Sequence, residues 1–303
     1  MRNLTSAVLT ACATIAISAG AQAATLSHNG LTMGVNNYGG LGSGGVGFAL
    51  NGTDAITPGC LCEGWGVASN GAGSYTYGNG STNFTSGALS DVTSNTGKST
   101  VTTSGGLNVT HSYSPVDGQK LFRIDITIKN DSAAVANDVR YGRTLDWDVT
   151  PGYFDNNFTT VYGGTPTGPG GKVLHTSTNP FDTPNPMFTR SQEANTNVSN
   201  SIGDKGSYFI FSFGDLGIGE ELTFTTFIGA DTSAAGLLAA FTAVGIEAYS
   251  YTTGRGGENA FGYGFTGLDL PPIGGGDVPE PAALALFGLG IVGVAAARRR
   301  RKA

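Results

Sequence analysis

Phe122-Arg123-Ile124-Asp125-Ile126-Thr127-Ile128-Lys129 alternates strictly between apolar and polar side chains. Successive side chains of a β-strand point to opposite faces, so Phe122, Ile124, Ile126 and Ile128 fall on one face and the polar residues on the other. Leu107 to Tyr113 alternates in the same way, and so does Leu145-Asp146-Trp147-Asp148-Val149. Phe209, Phe211 and Phe213 share a face of another strand. Leu222, Phe224, Thr226 and Ile228 share a face of the next, after the turn Gly217-Ile218-Gly219. Weaker strand patterns lie near 31–35, 46–50, 74–77, 99–103, 138–141 and 159–162. Turns rich in Gly, Asn, Asp and Pro separate them at the spacing of a sandwich. The reading is an all-β, large antiparallel β-sandwich, super-sandwich-like in size, spanning 24–269.

Composition agrees. The chain has 303 residues, 49 of them glycine, and only 13% are charged. Long charged helices, coiled coils and nucleic-acid binding by massed positive charge are excluded. Sixteen phenylalanines and eleven tyrosines are too many for a disordered chain. One segment departs from the strand period: Leu237, Leu238, Phe241, Val244 and Ala248 recur at helical spacing, predicting one short helix near 233–248. A Pro/Gly/Asn/Thr-rich stretch over 163–200 reads as a long loop, and 270–278 as a Pro/Gly linker.

The two ends read as addresses. Arg2, the apolar run from Leu4 to Ala19 and the small residues of Ala21-Gln22-Ala23 form a signal peptide over 1–23, cut by signal peptidase after Ala23. At the other end, 282–297 holds only uncharged, mostly apolar residues, about 24 Å as a helix. That is shorter than the ~30 Å hydrocarbon core, and flanking basic side chains can make up part of the difference. This predicts a transmembrane helix, with Arg298, Arg299, Arg300, Arg301 and Lys302 holding its end in the cytoplasm.

Val278-Pro279-Glu280-Pro281, the apolar helix and the terminal basic cluster together resemble a PEP-CTERM sorting signal over 279–303. The resemblance covers about the last 25 residues. It implies handling by an exosortase near Pro279-Glu280-Pro281, in a cell that makes an exopolysaccharide. The chain would be exported across the inner membrane, transiently anchored by its C-terminal helix, and then placed at the cell surface or outside it.

Without the two ends, the body keeps ten Lys and Arg against twenty-one Asp and Glu, a net charge of about −11. Divalent cations, or neutral sugars met through aromatic and amide groups, suit it better than nucleic acid. The body keeps two cysteines, Cys60 and Cys62. In an oxidising compartment thiols this close invite pairing, and a bridge between residues two apart demands a tight turn. A structural disulfide or buried thiols is favoured over a redox or metal site, because no second cysteine pair exists and His28, His111 and His175 are scattered.

Asp146-Trp147-Asp148 is the foremost candidate for chemistry. Strand alternation sends Trp147 inward and both carboxylates to the opposite, outer face, and Asp155 follows a turn. Clustered oxygen ligands suit calcium; two carboxylates also suit acid–base chemistry on glycosides; and a solvated face paired with Arg140 and Arg143 is the plain alternative. Glu63 and Trp65 form a candidate sugar grip, or else Trp65 plugs the core. Three functional classes remain open. One is a structural, adhesive or carbohydrate-binding surface protein of an extracellular matrix, with exopolysaccharide as its partner. Another is a carbohydrate-active enzyme of the epimerase-like or lyase-like kind. The third is a calcium-stabilised scaffold. The low count of titratable groups weighs against the enzyme.

Overall fold

A computed structural model describes residues 23–155, 157–163, 171–256 and 258–273. Residues 1–22 of the expected signal peptide, the sorting motif, the apolar 282–297 stretch and the basic cluster lie outside the described residues, whereas Ala23, the expected last residue of the signal peptide, begins a strand. Among the described residues no helix is long and apolar enough to cross a membrane.

The described chain is nearly all antiparallel β, with one short helix. The alternating run over 122–129 lies in the strand Leu121–Asn130, and its even-numbered residues from Phe122 to Ile128 are fully buried. It sits inside a nine-stranded sheet. On one side it pairs with Glu221–Asp231, which places Ile124 opposite Thr226 and Ile126 opposite Phe224. On the other it pairs with Leu107–Pro115, which places His111 opposite Ile126 and Tyr113 opposite Ile124. The sheet runs on through Gly97–Thr103 to Phe84–Ser90 at one edge, and through Ala260–Thr266, Ala248–Thr253 and Phe158–Tyr162 to Val198–Ile202 at the other.

A six-stranded sheet runs in the order Val173–Ser177, Ser207–Leu216, Ala136–Leu145, Glu63–Ser69, Ala72–Tyr77 and Gly80–Thr82. A four-stranded sheet runs Ala23–His28, Leu31–Asn36, Phe48–Leu50 and Thr53–Asp54. One continuous core draws on all three, including Met33, Phe48, Trp65, Tyr141, Phe209, Phe211 and Phe265. Burying side chains of this size, at about 1.5–3 kcal/mol each, is the main force holding the sheets together.

The helix occupies Ala234–Ala243. The Ser233 side chain caps it by accepting from the Gly236 N–H at 3.1 Å. It is shorter than the spacing predicts, because Val244 closes it and Gly245 then takes φ +71°, a left-handed turn that ends a helix. Ala248 instead begins a strand. Leu237, Ala240 and Phe241 pack with Leu121, Phe227 and Ile246 in a second, smaller core.

Three further departures have local causes. The stretch expected to be a loop over 163–200 contains the strand Val173–Ser177 and the start of Val198–Ile202, and Arg190 ties down its middle. Arg190 donates to the carbonyls of Asn179, Asp182 and Thr183 and stacks 3.9 Å over the Tyr208 ring. Backbone accepts what periodic apolar residues would otherwise supply. The linker expected from residue 270 is tied to the body as far as Ile273, whose N–H donates to the Ile246 carbonyl at 2.7 Å. The strand expected over 145–149 ends at Leu145, and Asp146 to Val149 continue outside the sheet.

Candidate functional site

The strand Ala136–Leu145 delivers two acidic sites, one on each side of its end. The first is built around Glu63, which pairs with Leu145 in the sheet. Glu63 and Trp65 lie on the central strand Glu63–Ser69, every residue of which is buried. Its glycines leave the outer face of the sheet bare for a loop: a Cβ on Gly66 would come within 2.7 Å of the Pro184 carbonyl. Trp65 is fully buried, donates from Nε1 to the Tyr38 carbonyl at 2.8 Å, and stacks on Tyr141. It plugs the core. The sugar-grip reading of Glu63 and Trp65 is thereby corrected: neither side chain reaches solvent, so neither can stack on or bond to a sugar.

Glu63 instead accepts from Arg143 Nη2 at 2.6 Å and from the Leu41 N–H at 2.6 Å. Both partners of this ion pair are shielded completely. Burial pushes the Glu63 carboxyl up, while Arg143 and the Leu41 N–H pull it back. Burial works against the Arg143 charge, but Glu63, Tyr141 and Tyr113 outweigh it and hold the guanidinium above its ordinary value. His111 stands 4.4 Å from Trp65 between ring centroids and exchanges a hydrogen bond with the Tyr141 hydroxyl at 3.2 Å. Burial, and then Arg143, push His111 well below the usual imidazole value, so it is neutral.

The second site is built around Asp146 and Asp148. Trp147 points into the core, as alternation predicts, and packs on Phe48 and Phe261. The carboxylates do not share an outer, solvated face. Asp146 is 4% exposed and Asp148 is 2% exposed. The reason is the departure from the sheet after Leu145. The Asp146 N–H donates to the Cys62 carbonyl at 3.1 Å and the Asp148 N–H to the Ala55 carbonyl at 2.8 Å, so the segment runs beneath residues 55–62. Gly59 lies against the Asp148 carboxylate so closely that a Cβ there would collide with it. Gly206 lies over the Asp146 backbone, where a Cβ would come within 2.8 Å of the Asp146 Cα.

The arginines expected as partners are elsewhere: Arg143 is committed to Glu63, and Arg140 pairs with Asp138. Asp204, on the turn after Val198–Ile202, joins the two aspartates instead, one carboxylate oxygen from each of the three lying within 4.8 Å of the others. Asp155 is exposed and acts on this group only through Asp204. Burial, and then Asp148 and Asp204, push the Asp146 carboxyl up to about 8. Burial and Asp204 push Asp148 up to about 6.

Cys60 and Cys62 are joined in a disulfide whose Cα atoms lie 5.1 Å apart. The tight turn this needs is made by Leu61, which takes φ +50°. Their sulfurs also lie within 4.8 Å of an Asp146 oxygen, but paired sulfurs offer a metal no thiolate. Tyr153 and Phe154 are 37% and 45% exposed with ring centroids 6.0 Å apart, and the Phe154 ring stands beside Gly59, where a Cβ would come within 3.2 Å of it. The sequence reading missed Asp204, which lies 56 residues beyond Asp148 on a turn with no periodic signal. It also missed the exposed ring pair, although Tyr153-Phe154 follows Pro151-Gly152 and belongs to no alternating run.

Residues 277–301 match the PEP-CTERM protein-sorting motif. The match marks the chain as an exported protein handled by an exosortase, with transient membrane anchoring at its C-terminal end. No curated protein matches the chain. Among solved structures, the galactose mutarotase related enzyme from Lactobacillus acidophilus is similar at 8% identity and a TM-score of 0.38, over 81% of this chain and 86% of that one.

Proposed function

We propose that this is an exported, exosortase-processed protein of the cell surface or extracellular matrix, whose β body works structurally and adhesively by holding exopolysaccharide. The observation that carries the reading is the sorting motif over 277–301. In this reading 1–23 is removed by signal peptidase and 24–269 is the exported body, a super-sandwich in the larger sense. Residues 270–278 connect it to 279–303, where 282–297 spans the membrane until the exosortase acts at Val278-Pro279-Glu280-Pro281 and Arg298 to Lys302 hold the inner end. The contact with sugar is the rim where Tyr153 and Phe154 present exposed rings beside Asp155 and Asp204. Aromatic faces stack on sugar rings, and the acidic neighbours accept from hydroxyls. The carbohydrate-active enzyme finds less support, because Asp146 and Asp148, the carboxylate pair suited to acid–base work on a glycoside, are buried, as is Glu63.

The test expresses the full chain in an exosortase-bearing host that makes exopolysaccharide. Wild-type protein reaches the medium and co-sediments with the polysaccharide. Pro279→Ala with Glu280→Ala stays in the membrane fraction. Tyr153→Ala with Phe154→Ala is released but sediments with polysaccharide at least fivefold less. Unchanged release of the first variant, or unchanged sedimentation of the second, removes the corresponding half of the reading.

A further inference from the structure

We infer that Asp146, Asp148 and Asp204 form a calcium site that fastens three separate segments of the body together. The site does not rest on polysaccharide binding and is testable apart from it.

Three observations carry it. The oxygens converge: one from each carboxylate lies within 4.8 Å of the others. Two of the three groups are not surface acids at all. Asp146 and Asp148 are more than nine-tenths buried, and Oδ1 of each is sealed from water with no hydrogen-bond partner among the described residues. Leaving a buried acceptor unpaired is costly, and more so if it is charged, so two side by side call for a common partner. Finally, none of the described ion pairs reaches the cluster. The nearby cations are spent, Arg143 on Glu63 and Lys205 on Glu193.

The chemistry of the donors selects the ion. All are hard carboxylate oxygens, and the sulfurs beside them are locked in a disulfide, so soft and thiolate-seeking metals have no ligand here. Calcium takes six to eight oxygen ligands in flexible geometry, whereas magnesium demands an octahedron, gives up its waters reluctantly and is held by one or two carboxylates, so three protein carboxylates converging on one point suit calcium. Asp204 is exposed, so one side of the ion stays open to water or to a ligand hydroxyl.

The position explains what the ion does. Asp146 and Asp148 hang beneath 55–62 through the Cys62 and Ala55 carbonyls, and Asp204 stands on the turn that Gly203 joins to the Asn157 carbonyl at 3.2 Å. One cation thus ties the disulfide loop, the segment after Leu145 and the 203–206 turn. The same segment carries Tyr153 and Phe154, so filling the site fixes the exposed rings.

The experiment uses the purified full chain freed of metal with chelator. Terbium, which takes calcium sites and is excited through nearby Trp and Tyr, is titrated in and then displaced with calcium; thermal unfolding is followed in chelator and in 5 mM calcium chloride. We expect saturable terbium emission that calcium displaces, and a melting temperature several degrees higher with calcium. Magnesium at the same concentration shifts it by less than half as much. Asp204→Asn, a change at an exposed position that leaves the fold intact, weakens calcium at least tenfold and removes most of the thermal shift. The proposal is overturned if wild-type protein shows no calcium-displaceable emission and melts identically in both buffers. It is equally overturned if Asp204→Asn keeps the full calcium shift, because the ion then binds elsewhere. Asp148→Asn is the second variant, and its calcium response, read by terbium emission, must fall as well.

Discussion

Glu63 faces Leu145 across the sheet and Asp146 follows Leu145 in the chain, so two buried acidic sites are neighbours with opposite surroundings. Glu63 meets a guanidinium and a backbone N–H, each at 2.6 Å. Asp146 meets Asp148 and Asp204, both of its own sign. The first site carries its neutralising charge within the sheet, because Arg143 stands two residues before Leu145 and opposite Trp65 in the register. The second lies just past the strand end, where none of the described ion pairs supplies an arginine. The difference shows that burial alone does not decide what a carboxylate does. A strand register can supply an internal cation; a loop that leaves the sheet has to obtain one from solution.

The largest expected effect comes from breaking the first site. Arg143→Met leaves Glu63 charged, buried and unpaired, and should cost about 3–5 kcal/mol. Arg143→Met with Glu63→Gln should recover most of that loss, because no uncompensated charge remains and Gln still accepts from the Leu41 N–H. Urea unfolding of the four proteins in the cycle measures this. If the double variant is as unstable as Arg143→Met, the pair is not an electrostatic unit, and its contrast with the aspartates fails.

The second site should respond in the opposite sense. In chelator at pH 7 the Asp146 carboxyl, pushed up to about 8, has to take up a proton on folding, which Asn does not, so Asp146→Asn should raise stability by about 2 kcal/mol. In calcium the same variant should be less stable than the wild type, since binding at ~100 times the dissociation constant is worth about 2.7 kcal/mol. The order of the two melting temperatures therefore crosses when calcium replaces chelator. A variant destabilised alike in both buffers would place Asp146 in the same class as Glu63, as a group already satisfied by the protein.

The sequence shows the first of these contrasts only partly. The alternation of Phe122 to Ile128 reads directly as a strand with one buried face, and the buried evens confirm it. Trp147 is legible for the same reason. Glu63–Ser69 is not: Gly64 and Gly66 interrupt the period, yet Gly66 lets the Pro184–Pro186 loop lie on the strand and Gly64 lets the Thr76–Tyr77 backbone come close. Exposure of Asp146 and Asp148 follows from alternation only while the strand lasts, and it ends at Leu145. Nothing local in Asp146-Trp147-Asp148 says that Gly59 and Gly206 will cover it. Asp204 could be found only from the tertiary fold, since its approach depends on how the sheet edges close. The ends of the chain are the converse case. The sorting motif is a local pattern and is legible in full from its own letters.

The smallest effect sharpens the comparison through pH. His111 belongs to the first site: it is buried against Trp65, with Tyr141 and Tyr113 around it and the Arg143 charge held in place by Glu63. Burial, then Arg143, keep its folded pKa well below the ordinary value near 6.5. The unfolded chain therefore takes up a proton that the folded chain refuses. Its contribution is present above pH ~6.5 and is lost as the pH falls below that value. Between pH 7.5 and 5.5 this amounts to about 1.4 kcal/mol. Asp146 and Asp148 pull the other way, since carboxyls raised to about 8 and about 6 favour the folded state increasingly as the pH falls through those values. Total stability thus mixes both signs, and the two sites separate only by difference. In chelator, the stability of the wild type minus that of His111→Gln should fall by about 1.4 kcal/mol from pH 7.5 to 5.5. The aspartate contribution, common to both proteins, cancels. A difference that stays flat with pH would mean that His111 can be protonated in the folded protein, and so that the Arg143 charge beside it is not fixed.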